Sequence, residues 1–146
     1  MVEGATHLDY NAPMPIKTAG MAPLIQVFDM KTSVDFYCRK LGFTLAQRSQ
    51  EGEDHFDWCM LENCGSYLML NTAYEQHERA PAPDKARNSH HADITFYFRC
   101  PDVDAAHRAL TTAGLNVAPP QKMHYGAREN AIPDPDGFTV CFQQFD

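Results

Sequence analysis

Two stretches of the sequence follow the same order of residue types, and this repeat restricts the possible folds more than any other feature. Residues 22–42 and residues 92–114 each begin with an apolar run that ends at an Asp, continue with an amphipathic run and end at a Gly. Asp29 and Asp102 can accept backbone N–H groups at the start of a helix, and the final Gly can adopt the left-handed conformation that ends one. Each copy therefore predicts a strand followed by a capped helix.

After each predicted helix the apolar period changes from helical to strand-like. The first copy is followed by FTLAQRSQ, HFDWCMLE and SYLMLNTA, and the second by LNVAPPQ, RENAIPD and FTVCFQQF. Runs of this length, separated by Gly, Pro and Asn, are typical of hairpins. The sequence therefore predicts an α+β fold built from two βαβββ modules.

Both predicted helices are amphipathic, with apolar residues recurring at helical spacing on one side. Such a one-sided pattern is typical of a helix that packs on a sheet. The inward residues predicted for the first helix are Val34, Tyr37, Cys38 and Leu41, and those predicted for the second are Val103, Ala106, Leu110 and Ala113.

The length of 146 residues allows one good hydrophobic core, and neither half of the chain would bury enough apolar surface alone. We therefore expect a single domain over residues 21–146, preceded by an N-terminal arm at residues 1–20. Within the domain, module one spans about residues 21–72 and module two about residues 92–146. The polar, proline-containing stretch at about residues 73–91 is predicted to be a linker.

The composition excludes several classes of function. With 12 basic and 19 acidic residues the formal net charge is −7, which argues against a nucleic-acid partner because nucleic-acid binding depends on clustered Lys and Arg. No apolar run approaches the length of about 20 residues that spans a bilayer, so no membrane partner is expected. The five cysteines are scattered and form no C-x-x-C pair, and the first residues lack the pattern of a signal peptide. We expect reduced cysteines in a soluble, cytoplasmic protein.

Three segments carry a resemblance to a known superfamily. DMKTSVDFYCRKLGF, from Asp29 to Phe43, resembles the D-x-x-x-S-x-x-F-Y-x-x-x-L-G-F signature of the vicinal oxygen chelate superfamily, which includes glyoxalases, extradiol dioxygenases and bleomycin-resistance proteins. PDVDAAHRALTTAG resembles the second helix of that superfamily, and GAREN followed by DPDGFTVCF resembles its closing hairpin. The pattern is most similar to the metal-free, bleomycin-resistance-like group.

The resemblance implies that the curved mixed sheets of the two modules enclose a shared cavity in which ligands bind. In the metal-dependent members, side chains that face this cavity, typically His or Glu, hold a divalent ion. Counted from the motifs, the corresponding positions in this sequence are Ala22, Met69, Thr95 and Cys141. A hard divalent ion needs oxygen or imidazole donors, and this set offers at most a thiolate and a hydroxyl. We therefore expect no metal ion and no other cofactor.

Candidate ligand-binding residues come from alternation along the predicted strands and from the closing hairpin. Thr95 and Tyr97 share one face of the first strand of module two. In the run HFDWCMLE two choices remain open, because either His55 or Trp58 faces the cavity. The complete set of candidates is Phe28, His55, Trp58, Thr95, Tyr97, His124, Tyr125, Arg128, Glu129 and Cys141. An aromatic, weakly polar cavity of this kind suits flat organic ligands.

Two functions remain open. The first is a binding protein of the drug-sequestering kind, which holds a small aromatic compound in a metal-free cavity. The second is a metal-independent isomerase or lyase that uses acid–base side chains in the same cavity. The candidate acid–base groups are His55, His124, Glu129 and Cys141. We also expect a homodimer, because similar proteins often complete their cavities by pairing modules and because a partner can cover open strand edges.

Overall fold

The computed structural model describes residues 16–50, 52 and 54–146. Most of the predicted N-terminal arm therefore lies outside the described residues, and residues 16–20 form neither helix nor strand. No helix in the described part of the chain is long and apolar enough to cross a membrane.

Module one contains four strands and one helical segment. Its strands are β1 (Leu24–Val27), β2 (Thr44–Arg48), β3 (Trp58–Asn63) and β4 (Ser66–Thr72). Helix α1, Met30–Val34, continues as a π-helix over Asp35–Lys40.

Module two repeats this order. Its helix is α3 (Val103–Thr112), and its strands are β5 (Thr95–Arg99), β6 (Gln121–Lys122), β7 (Ala127–Pro133) and β8 (Thr139–Phe145). Each module forms its own four-stranded sheet, sheet 1 in the order β1-β4-β3-β2 and sheet 2 in the order β5-β8-β7-β6. In each sheet the first pair is parallel and the other pairs are antiparallel. The predicted α+β fold of two βαβββ modules is confirmed, and neither sheet closes into a barrel.

The π-helical stretch changes which side of the first helix faces the core. Its wider winding is seen where the Leu41 N–H donates to the Phe36 carbonyl at 3.1 Å, five residues earlier in the chain. Tyr37 and Leu41 are buried as predicted. Phe36 is buried as well, whereas Val34 and Cys38 lie at the edge of the core. A regular helical period cannot reveal such a local rotation.

The second helix follows its predicted pattern more closely, because it is α-helical throughout. Val103 and Leu110 are buried against the core. Ala106 and Ala113, the other two predicted inward residues, are half-buried.

The two Asp residues predicted to cap helices behave differently. Asp102 accepts a hydrogen bond from the backbone N–H of Ala105 at 2.9 Å and caps α3 as predicted. The side chain of Asp29 makes no capping bond at the start of α1. The predicted side-chain cap of the first helix is therefore wrong, although the helix itself forms. Its carboxylate accepts a hydrogen bond from the Thr32 hydroxyl at 2.7 Å. The Asp29 carboxylate is therefore free to bind a side chain from elsewhere in the fold.

One core joins the two modules, since the buried apolar residues of both sheets form a single cluster. The DPDG hairpin adds polar contacts. Asp136, only 3% exposed, accepts hydrogen bonds from the Phe28 N–H at 2.8 Å and from the Ser33 hydroxyl at 3.3 Å. Asp134 accepts one from the buried Tyr37 hydroxyl at 2.8 Å. Because the two carboxylates belong to module two and their donors to module one, they hold the modules together.

The connection between the modules is more ordered than the predicted linker. It contains helix α2, Lys85–His90, followed by a 3₁₀ turn, His91–Asp93. The ring of His91 stacks on Phe138 with a centroid distance of 4.1 Å, and its Nδ1 lies 2.6 Å from the carbonyl oxygen of Asp136. These contacts dock the end of the connection on module two.

Candidate functional site

The strands of sheet 1 bury one face and leave the other uncovered. The buried face carries Cys59, Leu61, Leu68 and Leu70. We call the opposite face the open face of sheet 1, and it carries Leu24, Trp58, Met60, Tyr67, Met69 and Asn71. Leu24 is 47% exposed and Tyr67 is 42% exposed, so this face presents apolar side chains to solvent in the single chain.

Sheet 2 has a corresponding open face. It carries Thr95, Tyr97, Arg99, Glu129, Cys141, Gln143 and Phe145. Tyr97 is 55% exposed and Phe145 is 47% exposed, and Tyr125, in the turn before β7, is 45% exposed. Large apolar side chains grouped on one exposed surface indicate a ligand-binding or contact surface.

A polar cluster lies among these aromatic side chains. Glu129, only 9% exposed, accepts hydrogen bonds from the Tyr125 hydroxyl and, at 2.8 Å, from the side-chain amide of Gln143. The strand register places Tyr97 opposite Cys141 and Glu129 opposite Gln143. The open face of sheet 2 therefore combines exposed rings with a hydrogen-bonded carboxylate.

The same cluster keeps two titratable side chains protonated. The hydrogen bond from Tyr125 to the Glu129 carboxylate raises the pKa of this phenol to about 12. Burial, together with the negative charge of Glu129, raises the pKa of the Cys141 thiol to about 12. A thiol must ionise before it acts as a nucleophile or a metal ligand. Cys141 is therefore an unreactive side chain at neutral pH.

The structure brings together five of the predicted site residues on the open face of sheet 2, namely Thr95, Tyr97, Tyr125, Glu129 and Cys141. Arg128 does not join them, which corrects its expected position beside Tyr97. Neighbouring residues of a strand point to opposite faces, so Arg128 points away from Glu129 and towards α3. Its guanidinium makes two bonds to Asp104, of 2.6 and 2.9 Å. His124 is exposed in the turn, with its ring centroid 5.1 Å from that of Tyr125.

The remaining candidates, Phe28, His55 and Trp58, lie on module one. Strand β3 begins at Trp58, which lies on the open face of sheet 1. His55 precedes the strand, and its Nε2 is 3.2 Å from a carboxylate oxygen of Asp57. Of the two residues left open by the sequence, Trp58 therefore lies on the open face of sheet 1, whereas His55 belongs to a different surface.

Phe28 and His55 both line a cavity of about 530 Å³ beside module one. Its walls come from residues 28–34, residues 54–56 and residues 72–79, and none of them belongs to sheet 2. A smaller cavity of about 210 Å³ lies between residues 118–123 and strand β7.

The side chains at the superfamily's metal positions do not fit a divalent ion. Ala22 has no donor atom, and Met69 offers only a weak thioether. Thr95 offers a hydroxyl, and the raised pKa of Cys141 opposes formation of a thiolate. Within the part of the chain that the structure describes, no group of three or more His, Cys, Asp or Glu side chains could hold a metal ion.

Several residues of these surfaces were not among the predicted candidates, including Gln143, Phe145, Tyr74 and Arg79. Gln143 could have been found, since it lies two residues after Cys141 on one strand and so shares its face. Tyr74 and Arg79 line the cavity of 530 Å³. They lie in the polar connection, which has no period from which their direction could be predicted.

Known proteins share this fold over nearly the whole chain. The antibiotic binding protein TnmS3 from Streptomyces sp. CB03234 has a TM-score of 0.66 and 23% identity, covering 92% of this chain and 100% of that one. TioX from Micromonospora sp. ML1 has a TM-score of 0.68 and 22% identity, covering 88% and 100%. A bleomycin-binding protein complexed with bleomycin has a TM-score of 0.65 and 19% identity, covering 88% and 100%.

Sequence comparison gives the family directly. No curated protein matches the chain significantly. Residues 18–142, which include both modules almost completely, match the family model described as the Glyoxalase/Bleomycin resistance protein/Dioxygenase superfamily. The chain therefore belongs to the glyoxalase/bleomycin resistance protein/dioxygenase superfamily.

Proposed function

We propose that the protein binds a small aromatic organic molecule, without a metal ion, on the open face of sheet 2. The observation that carries this proposal is the group of three exposed rings, Tyr97, Tyr125 and Phe145, beside the buried carboxylate of Glu129. Aromatic rings bind flat organic ligands by stacking, and a few fixed polar groups orient them. Gln143 holds Glu129 in place, so the polar part of this surface is preorganised.

The structural relatives support a binding role. TnmS3 is an antibiotic binding protein, and another relative was solved as a complex with bleomycin. We extend ligand binding from those proteins to this chain. The biological role that we propose is sequestration of an antibiotic-like aromatic compound.

We further propose that a second copy of the chain completes the ligand site. Both open faces are uncovered in the single chain, and each presents large apolar side chains. A homodimer in which the open face of sheet 1 covers the open face of sheet 2 of the partner would shield both. The ligand would then lie between Trp58 of one copy and Tyr97 of the other.

We place this homodimer in the cytoplasm. All five cysteines are free, and Cys64 is exposed to solvent. An exposed free thiol suits a reducing compartment, where it does not oxidise to an intermolecular disulfide.

A metal-independent isomerase or lyase is the second candidate. The observation that favours it is the buried carboxylate of Glu129, with His124 in the neighbouring turn. An acid–base catalyst works best when its pKa lies near the working pH. Tyr125 and Cys141 do not meet this condition, because the pKa of each is raised to about 12. This leaves Glu129 and His124 for acid–base chemistry, and we prefer binding without turnover because the rings for stacking are already in place on this surface.

The test is a titration of the purified protein with bleomycin and a panel of aromatic antibiotics. Trp58 is the single tryptophan, so its fluorescence reports on ligand that binds between the open faces. Tyr97→Ala removes one stacking ring and should weaken binding about three- to tenfold. Arg128→Gln is the matched control, because Arg128 lies on the opposite face of the same sheet, and it should leave the affinity unchanged.

Two results would contradict the proposal. One is equal weakening of binding by Tyr97→Ala and Arg128→Gln. The other is a monomeric mass by light scattering with no binding of any member of the panel. Conversion of a bound compound into a product would favour the enzyme instead.

A further inference from the structure

We infer that the cavity of about 530 Å³ beside module one is a second binding site, which takes a small aromatic zwitterion. Its volume lies in the range of about 300–1,000 Å³ that is typical of small-molecule sites. None of its walls belongs to the open face of sheet 2, so it does not depend on the ligand site proposed above.

One part of the cavity is an aromatic slot. Phe28 and Tyr74 both line the cavity and meet edge to face, with ring centroids 6.2 Å apart and an interplanar angle of 76°. Phe56, only 8% exposed, adds a third ring to the wall. Edge-to-face pairs leave ring surface on which another aromatic group can pack. This part of the cavity therefore suits a planar ring.

A long-range ion pair holds the connection against this slot. The Asp29 carboxylate, which does not cap α1, binds the Arg79 guanidinium at 3.2 Å. The same guanidinium lies 5.5 Å from the centre of the Phe28 ring. Because Arg79 is 50 residues from Asp29 in the chain, these contacts fix residues of the connection beside the cavity. Tyr74 and Arg79 thus form a wall that module one alone does not supply.

The charges of the lining residues indicate the polar groups of the ligand. Asp29 is paired with Arg79, and His55 is paired with Asp57 outside the cavity lining. Lys31 and Asp54 also line the cavity and form no ion pair with another described residue.

Among the described residues, one cation and one anion of the cavity lining are therefore left to meet a ligand. The complement is a ligand that carries one anionic and one cationic group beside its ring. Aromatic α-amino acids are the simplest members of this class.

The test uses four indole compounds: L-tryptophan, which carries both charged groups, tryptamine with the cation alone, indole-3-propionate with the anion alone, and indole with neither. Binding to the full chain is measured by isothermal titration and by chemical-shift changes in the amide spectrum. L-Tryptophan should bind most tightly, about two- to fivefold more tightly than either singly charged compound, since exposed charge pairs contribute modestly. Indole should bind most weakly, and the amides that shift should include those of residues 72–79.

Variants assign the charge preference to individual residues. Asp54→Asn should remove the advantage of L-tryptophan over indole-3-propionate, and Lys31→Met should remove its advantage over tryptamine. Arg39→Gln is the matched control, because it breaks an exposed ion pair with Asp35 on the same helical segment, away from the cavity. It should leave all four affinities unchanged.

The proposal is overturned if none of the four compounds binds, or if they bind without regard to charge. It is also overturned if Tyr74→Ala leaves the affinity for L-tryptophan unchanged. Tyr97→Ala provides the distinction from the proposed function, because it should weaken binding of the larger aromatic ligand and leave L-tryptophan binding intact.

Discussion

Replacing Tyr37 with Phe is expected to destabilise the protein in a way that depends on pH. Tyr37 lies in module one, is fully buried and donates its hydroxyl to Oδ2 of Asp134 at 2.8 Å. Asp134 belongs to module two and is 6% exposed. Its other oxygen, Oδ1, accepts the backbone N–H groups of Asp136 and Phe138, each at 2.9 Å. Tyr37→Phe therefore removes one donor from a buried carboxylate and leaves the other two.

The expected cost follows from the charge and burial of the acceptor. A hydrogen bond to a charged group contributes about 1.5–3 kcal/mol, and an exposed group would cost less because water replaces the lost partner. We expect Tyr37→Phe to lower the free energy of unfolding by about 2 kcal/mol at pH 7. For a domain of this size that corresponds to a fall in Tm of about 4–8 °C.

The sign of the pH dependence follows from the pKa of Asp134. Burial raises this pKa above the ordinary value of 3.8, and the hydrogen bond from Tyr37 lowers it. The native state therefore binds more protons than the unfolded state, and its stability falls as pH rises from about 3.8 through the raised native pKa. Loss of the Tyr37 hydroxyl raises the native pKa further. The penalty of Tyr37→Phe should therefore grow between pH 4 and pH 7.

The assay is urea unfolding followed by circular dichroism at several pH values between 4 and 7. Tyr74→Phe is the matched control, because the Tyr74 hydroxyl makes no hydrogen bond with a described residue, and its effect should stay within about 0.5 kcal/mol. Equal losses in the two variants, or a loss in Tyr37→Phe that does not change with pH, would refute this account of the contact between the modules.

Two further predictions concern a glycine and the cysteines. Gly137→Ala should lower Tm more than Gly114→Ala. Both residues have φ near +90°, so the backbone strain of the substitution is similar. At Gly137, however, the added Cβ would also lie 2.9 Å from the backbone oxygen of Asn88. Equal Tm values for the two variants would contradict the docking of α2 on the DPDG hairpin. Cys64 should be alkylated by iodoacetamide at pH 7.5 long before Cys141, whose pKa is raised to about 12, as read by peptide mass mapping. Early labelling of Cys141 in the folded protein would mean that its thiol is accessible and ionised.

The sequence by itself was enough to predict the repeated elements of the two modules and the faces of several strands, but not helix α2 in the connection. Apolar spacing and end signals act over a few residues, so the repeated strand and helix of each module could be read directly. Alternation also placed Thr95 and Tyr97 on one face, and the register of β5 and β8 puts Cys141, which the superfamily resemblance had placed towards the cavity, on the same face. The same alternation places Arg128 and Glu129 on opposite faces of β7. The prediction that put both residues at the ligand site treated them as one motif and did not apply this rule.

Only the tertiary structure decided how the two modules use their polar side chains. Asp29 has the position of a helix cap, yet its carboxylate binds Arg79, 50 residues away. At the same end of α1, the Phe28 N–H donates to Asp136, 108 residues away. The choice depends on the packing of whole modules, because a carboxylate binds whichever donor the fold brings within reach. Local spacing carries no information on that choice, and so the wall of the cavity and the contact between the modules could be seen only in the folded chain.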